Sequence, residues 1–238
     1  MSAAHGVLHL IPVTLGEGDP RSALPAPVLQ AASGLDYFLV ENEKSARRFL
    51  KSMGHPRALR ELRLERFDKD CDLARAAALL QPVLAGRSAG VLSEAGSPAV
   101  ADPGALLVAA AHRLGIRVVP HIGPSAVLLA LMASGFIGQR FAFHGYLPVA
   151  QDECRRAIAA REHESRAQDI TQIFIETPYR NDALVQAFLA VCRRDARLCV
   201  ASELTLPGES VRSAAIEAWQ AEPTKIGRRP SIFLLYAR

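Results

Sequence analysis

Residues 91–104 read V-L-S-E-A-G-S-P-A-V-A-D-P-G, and residues 118–126 read V-V-P-H-I-G-P-S-A. Each stretch leads from an apolar strand through a glycine–proline turn into an apolar helix, the first of which is expected over residues 105–115. Glycine lets the main chain approach a ligand closely, and proline presets the first helical turn. In open α/β sheets, ligands bind where strands end and helices begin. The two turns therefore predict a pocket built largely from main-chain groups.

The composition is that of an ordinary globular protein. The chain has 238 residues, of which 50% are hydrophobic and 22% are charged, enough for one large domain or two small ones. Its four cysteines form no C-x-x-C pair and the sequence has no cluster that combines cysteine and histidine, so neither a disulfide framework nor a metal site is expected. The net charge of +4 is compatible with a polyanionic partner without requiring one.

No segment of the sequence has the pattern of a membrane anchor. The N-terminal stretch has no basic region followed by an apolar run, which is the pattern of a signal peptide. Residues 118–139 are uncharged for long enough to cross a bilayer, but Pro120, Gly123, Pro124 and Gly135 interrupt them. We therefore expect a cytoplasmic protein that does not span a membrane.

Strands and helices alternate along the whole chain. Strands are predicted at 7–13, 36–40, 89–93 and 117–120, with helices at 22–34, 43–53 and 71–85 between them. Beyond Gly135, strands are predicted at 140–146, 171–176, 198–203 and 231–236, and helices at 152–166, from 177 through 192 and at 213–219. This alternation favours parallel or mixed sheets covered by helices. We expect two α/β domains, residues 1–120 and residues 121–238.

The common nucleotide-binding signatures are missing from the sequence. There is no G-x-x-x-x-G-K-[ST] loop, and the G-x-G of Gly16 and Gly18 has Arg21 where a dinucleotide fingerprint has its third glycine. No G-x-S-x-G nucleophile elbow is present. These absences disfavour a P-loop enzyme, a nucleotide-dependent oxidoreductase and a serine hydrolase.

Four carboxylates stand at predicted strand ends, namely Glu41, Glu94, Glu176 and Glu203. Each has two interpretations, because acids are favoured near the positive end of a helix as well as in catalytic sites. For Glu41 and Glu94 both interpretations stay open, whereas Asp102 is expected to cap the helix that follows it. The residues alone thus predict an α/β enzyme with a main-chain pocket.

The first of the two turns resembles a known family. E-A-G-S-P-A-V-A-D-P-G is similar to the D-A-G-T-P-x-x-S-D-P-G motif of the small-subunit ribosomal RNA 2′-O-ribose methyltransferase I family, within the tetrapyrrole (class III) methylase superfamily. G-I-R-V-V-P-H-I-G-P-S-A, F-A-F-H-G-Y-L-P, I-E-T-P-Y-R and A-S-E-L-T resemble further blocks of that family, in the same order, over residues 91–205.

The resemblance implies a fold and a cofactor. It implies two α/β domains of the tetrapyrrole-methylase type with S-adenosylmethionine in the cleft between them, usually in a homodimer. The positions that match the family's cofactor contacts are Leu15, Gly96, Ser97, Pro98, Val100, Ser125, Ala126, Glu176 and Ala201. It further implies methyl transfer to the ribose 2′-oxygen of small-subunit ribosomal RNA, with RNA or the ribosomal subunit as partner and with no metal. Glu41, Glu94 and Glu203 are the candidates for the general base, which stays unassigned.

The sequence also departs from the family's pattern. Residues 41–44 are E-N-E-K where the family has E-D-T-R, Leu206 replaces a lysine, and no counterpart of the family's small C-terminal extension is expected. These differences leave other acceptors open, namely another RNA, a tetrapyrrole or a protein side chain. A cofactor-binding homologue without catalytic turnover is a further alternative.

Overall fold

The computed structural model describes residues 5–68 and 70–238 and divides the chain into two compact units. The first unit ends at Ser125, and the second is Ala126–Arg238. The sequence-based boundary at residue 120 lies at the end of the last strand of the first unit, before the turn that contains Gly123.

Among the described residues of the first unit, five strands form one parallel sheet. They are β1 (Val7–Leu10), β2 (Tyr37–Val40), β3 (Arg63–Arg66), β4 (Ala89–Leu92) and β5 (Arg117–Pro120). The order across the sheet is β3-β2-β4-β1-β5. Strands β2 and β4 are buried at every position, as their continuous apolar sequences lead one to expect of the interior of a parallel sheet.

Helices cover both faces of this sheet. They are α1 (Pro20–Ala23), α2 (Ala26–Ser33), α3 (Glu43–Ser52), α4 (Leu73–Leu79), α5 (Gln81–Leu84) and α6 (Gly104–Arg113). Apolar residues of α2 and α3 join the core on one face, and those of α4 and α6 join the core on the other.

Two helices expected as continuous are divided. The helix predicted over 22–34 is interrupted at Leu24, which is extended because it precedes Pro25. The helix predicted over 71–85 begins only after the cap residue Asp72 and is interrupted at Leu80, where α4 ends and the proline-containing α5 begins. In both places a proline within an apolar pattern ends one helix and starts the next.

The strand order places a crevice beside β1 and β4. These two strands are neighbours, but β1 leads into helices on one face and β4 leads into α6 on the other. The loops that follow them therefore separate at the carboxyl ends of the strands. Such a topological switch point is where open α/β sheets bind ligands.

The second unit, all of whose residues are described, contains a mixed five-stranded sheet. Its strands are β6 (Phe141–Tyr146), β7 (Thr171–Ile175), β8 (Arg197–Ser202), β9 (Ser210–Ala215) and β10 (Ser231–Tyr236). The order is β6-β7-β10-β8-β9, with β6 and β7 parallel and the remaining pairs antiparallel.

Four helices cover this sheet in the second unit, where every residue is described. They are α7 (Ala126–Ser134), α8 (Gln151–Gln168), α9 (Asn181–Val191) and α10 (Ile216–Ala221). Helices α8, α9 and α10 enclose a core that includes Phe188 and Trp219, while α7 lies against β8, β9 and β10. The prediction of a helix over 213–219 is wrong in its first half. Ser213 belongs to β9, where it pairs with Cys199 of β8, and α10 begins only after that strand.

No helix within residues 5–68 and 70–238 combines the length and the apolar character needed to cross a bilayer.

Candidate functional site

Three loops follow the carboxyl ends of β1, β4 and β5, and hydrogen bonds join them. The amide of Val13 donates to the carbonyl of Gly96 over 2.9 Å, which ties the β1 loop to the β4 loop. The Ser97 hydroxyl donates to the carbonyl of Pro124 over 3.3 Å, which ties the β4 loop to the β5 loop. The two glycine–proline turns that stand out in the sequence therefore lie side by side.

At Gly96, the β4 loop lies in close contact with both the β1 loop and the β5 loop. The φ of Gly96, 70°, lies in the left-handed region, and a Cβ added there would meet Leu15 Cδ2 at 3.0 Å and the Pro124 carbonyl oxygen at 3.2 Å. The structure thus brings together four of the predicted cofactor residues, Leu15, Gly96, Ser97 and Ser125. Pro98 and Val100 continue the same loop, and Val100 is exposed.

The Asp102 carboxylate stabilises the conformation of the β4 loop at positions where a glycine would be expected. Ala99 and Ala101 have φ values of 66° and 63°, a conformation that alanine rarely adopts. The Asp102 carboxylate accepts from the amide of Ala99 at 3.0 Å and from the amide of Gly104, the first residue of α6, at 2.7 Å. The capping role expected of Asp102 is confirmed, and the same contacts hold the strained loop in place.

Several main-chain amides of these loops have no hydrogen-bond acceptor. Within the part of the chain that the structure describes, the amides of Ser97, Val100 and Ser125 donate to no other group. A main-chain donor that stays unpaired is available to water or to a ligand. The arrangement therefore fits a polar ligand that is bound through the backbone, as the sequence predicts.

A cavity of about 220 Å³ opens at the switch point within the first unit. The β1 loop, the residues Ser93 and Glu94 after β4, and one face of α3 line it. The α3 residues in the lining are Ser45, Arg48, Phe49 and Ser52, which share a face because they are three or four positions apart. Sequence reasoning missed this contribution of α3, because nothing in the local sequence shows which loop its exposed face meets.

Glu94 of the cavity lining and Asp102 lie near enough to Glu41 to affect the pKa of its carboxyl. Burial raises the pKa of Glu41 above its ordinary value of 4.5, and the nearby negative charges of Asp102 and Glu94 raise it further. Burial also raises the pKa of Asp102, although its hydrogen bonds from Gly104 and Ala99 act in the opposite direction. Both interpretations of Glu41 stay open, since it directly precedes Asn42, the cap residue of α3.

The raised pKa of Glu41 predicts a pH-dependent change in stability. A carboxyl with a raised pKa in the folded state stabilises the fold while it is protonated, and this contribution is lost as the pH rises through that pKa. We expect Glu41→Gln to increase the free energy of unfolding at about pH 7, with the increase disappearing below about pH 4. Urea unfolding at both pH values measures it. The exposed Glu61→Gln is the control, and a Glu41→Gln protein that is less stable than wild type at pH 7 contradicts the prediction.

The remaining predicted residues belong to the second unit. Ala126 is the first residue of α7, and Ala201 lies buried within β8, paired on both sides with β9 and β10. Glu176 is buried after β7, where it accepts from the amide of Thr177 at 2.7 Å and lies 3.3 Å from Arg180 Nη2. Their part in a cofactor site stays a prediction.

Glu203, the third candidate for the general base, follows β8 in the same unit. Its φ is 52°, and its carboxylate lies 4.0 Å from Arg229 Nη1. Glu203 therefore has a cation as its neighbour, whereas Glu41 lies near two other carboxylates. No three histidine, cysteine or acidic side chains within residues 5–68 and 70–238 come together as metal ligands.

Comparisons with known proteins identify the family. No family model matches the chain. A protein from Xylella fastidiosa named ribosomal RNA small subunit methyltransferase I is 30% identical over 217 residues, which cover 91% of this chain and 75% of that protein. A protein of the same name from Mycobacterium bovis is 34% identical over 205 residues, covering 84% of this chain and 67% of that protein. The crystal structure of the methyltransferase CobJ aligns with a TM-score of 0.63 at 16% identity, covering 98% of this chain and all of CobJ.

The structural likeness shows the fold, which is the two-unit α/β fold of the tetrapyrrole methylases, and the expected fold class is confirmed. The relatives from Xylella fastidiosa and Mycobacterium bovis are methyltransferases by name, so the class of protein is the methyltransferases. Within that class, the chain belongs to the ribosomal RNA small subunit methyltransferase I family.

Proposed function

We propose that this protein transfers a methyl group from S-adenosylmethionine to small-subunit ribosomal RNA. The observation that carries the proposal is the set of loops after β1, β4 and β5, with their unpaired amides, in a chain that belongs to this family. The proposed contacts in the first unit are Leu15, the turn of Gly96 to Val100, and Ser125. The sequence-based candidates Ala126, Glu176 and Ala201 belong to the second unit.

The loop geometry fits such a cofactor. Gly96 leaves a cradle that a Cβ would fill, and the amides of Ser97, Val100 and Ser125 can donate to polar groups of a nucleoside and an amino acid. When bound, the cofactor supplies a methyl group on a positively charged sulfur. The task of the protein is then mainly to position the two reactants, since methyl transfer is an in-line displacement.

The acceptor hydroxyl needs a group that takes its proton. Glu94 lines the cavity at the switch point and stands next to the β4 turn, so it is our first candidate for that group. Glu41 is the second candidate, since burial and the nearby charges of Asp102 and Glu94 raise the pKa of its carboxyl above the ordinary value. Glu203 is third, because its carboxylate lies 4.0 Å from Arg229 Nη1 and it belongs to the second unit.

The name of the relatives and the charge of the chain favour an RNA acceptor. The net charge of +4 is compatible with a polyanionic substrate, and a ribosomal substrate implies a cytoplasmic protein. Tritium transfer from labelled cofactor to small ribosomal subunits from a strain that lacks its own enzyme tests the proposal. We expect label in the ribosomal RNA at a ribose, which nuclease digestion and mass analysis identify.

Two other outcomes of that experiment would contradict the proposal. Label in a tetrapyrrole or in a protein would show another acceptor. Cofactor binding measured by calorimetry, without methyl transfer to any RNA, would show a homologue without catalytic turnover. That alternative is based on Asn42–Lys44 and Leu206, which differ from the family's pattern.

We also propose that the protein is a homodimer. Helix α7 is apolar up to its last residue, Ser134, and Leu128 and Met132 are 51% and 79% exposed. A helix with apolar residues on all sides is normally buried, which supports contact with a second copy. Light scattering should give twice the mass of the chain, and it should give a lower mass for a Met132→Glu variant. A monomeric wild-type protein contradicts this proposal.

A further inference from the structure

The cavity at the switch point shares the β1 and β4 loops with the predicted cofactor site, but neither Leu15 nor Gly96 belongs to its lining. Its walls include Thr14, which directly precedes Leu15, and Ser93, which lies before Gly96 in the β4 loop. Its far wall is α3, which contributes the hydroxyls of Ser45 and Ser52 and the guanidinium of Arg48. The two sites therefore share the β1 and β4 loops and face different helices.

The size of the cavity limits what it can hold. Sites for whole drug-sized ligands usually measure about 300–1,000 Å³. At about 220 Å³, this cavity is suited to a fragment such as one sugar with its phosphate. Its hydroxyls and main-chain groups suit a polar fragment better than an apolar one.

Arg48 is the cation of the cavity lining, which also contains the carboxylates of Glu17 and Glu94. Arg48 Nη1 lies 2.5 Å from Glu17 Oε1, but both side chains are largely exposed, and an exposed pair of this kind contributes little to stability. A phosphate can therefore take the place of Glu17 at small cost. Lys44, Arg47 and Lys51 lie on the same helix, against one acid, Glu43. Helix α3 thus carries an excess of positive charge, of which Arg48 lies in the cavity lining and the other three cations lie outside it.

We propose that this cavity binds a ribose and its phosphate from the RNA acceptor, with Arg48 binding the phosphate. The inference rests on the proposed function, since it names the subsite for the same acceptor. Helix α3 then contacts the neighbouring phosphates, and the ribose lies between α3 and the β4 loop, beside Glu94. A single-stranded stretch of RNA fits this arrangement, because its ribose and phosphate are accessible from one side.

Binding of a fluorescently labelled single-stranded oligoribonucleotide to the full chain, measured without cofactor, tests the inference. Arg48→Gln should weaken binding about tenfold and reduce the slope of log affinity against log salt by about one. Lys51→Gln is the matched control, since Lys51 is an exposed cation of the same helix outside the cavity lining, and we expect a loss of about twofold. Ser45→Leu should fill the cavity and also weaken RNA binding, while leucine keeps the helix intact.

The affinity of each variant for S-adenosylhomocysteine, measured by calorimetry, separates the outcomes. We expect it to be unchanged in all three. Equal losses of RNA affinity in Arg48→Gln and Lys51→Gln, in a protein that still methylates RNA, would overturn this inference alone. A loss of S-adenosylhomocysteine affinity in Arg48→Gln would overturn it by assigning the cavity to the cofactor. A wild-type protein that methylates no RNA would instead overturn the proposed function.

Discussion

Gly123→Ala is expected to destabilise the first unit by about 3 kcal/mol, because the loop after β5 has no room for a side chain at this position. A Cβ on Gly123 would overlap the ring of Pro12, lying 2.6 Å from its Cγ, and would lie 3.1 Å from Leu24 Cδ2. Pro12 is buried and its ring is rigid, so the backbone of the β5 loop has to move. Chemical denaturation measures the loss.

The displaced loop also contains Ser125, so we expect the same variant to bind S-adenosylhomocysteine at least tenfold more weakly. Gly138→Ala is the control, since no atom lies within 4 Å of a Cβ at that glycine and its φ is not in the left-handed region. It should unfold within about 1 kcal/mol of the wild-type protein. A Gly123→Ala protein as stable as Gly138→Ala would show that the β1 and β5 loops are not packed as described.

Ser125→Phe is expected to reduce the affinity for S-adenosylhomocysteine more than about 100-fold, which corresponds to about 2.7 kcal/mol. Ser125 is half-buried and follows Pro124, whose carbonyl accepts from Ser97. A phenyl ring at this position fills the space that we assign to the cofactor. Isothermal titration calorimetry measures the change.

The control for this variant is Ala58→Phe, which adds the same ring to an exposed residue at the opposite edge of the sheet, before β3 begins. It should bind the cofactor product as the wild-type protein does. If Ser125→Phe keeps the affinity of Ala58→Phe, the cofactor does not lie at the β5 loop.

The sequence predicts most strands and helices because their local signals agree with their packing. Strand β2 is an apolar run buried throughout, and α3 begins at Asn42, whose side chain accepts from the amides of Lys44 and Ser45. Two edge strands had no such signal. Strand β3 reads R-L-E-R and pairs only with β2, and β9 is S-V-R-S-A-A, which pairs only with β8. Their pairing is a tertiary feature, since neither sequence has a buried apolar run.

The candidate site was predictable in part for the same reason. Glycine and proline carry local conformational information, so the turns around Gly96 and Gly123 could be found from the sequence. Alanine gives no such local signal, so the positive φ values of Ala99 and Ala101 could not be predicted. They occur in a loop in which the Ala99 amide donates to Asp102. The cavity was not predictable either, because it depends on how α3 packs beside the β1 loop.

The assignment of the cofactor site to main-chain groups of the β4 and β5 loops is the claim on which the proposed function depends. A crystal structure of the wild-type protein with S-adenosylhomocysteine tests it most directly. We expect the ligand within hydrogen-bond distance of main-chain atoms in the turn of Gly96 to Val100 and of Ser125. An ordered ligand elsewhere on the chain, with neither loop in contact with it, would contradict the account.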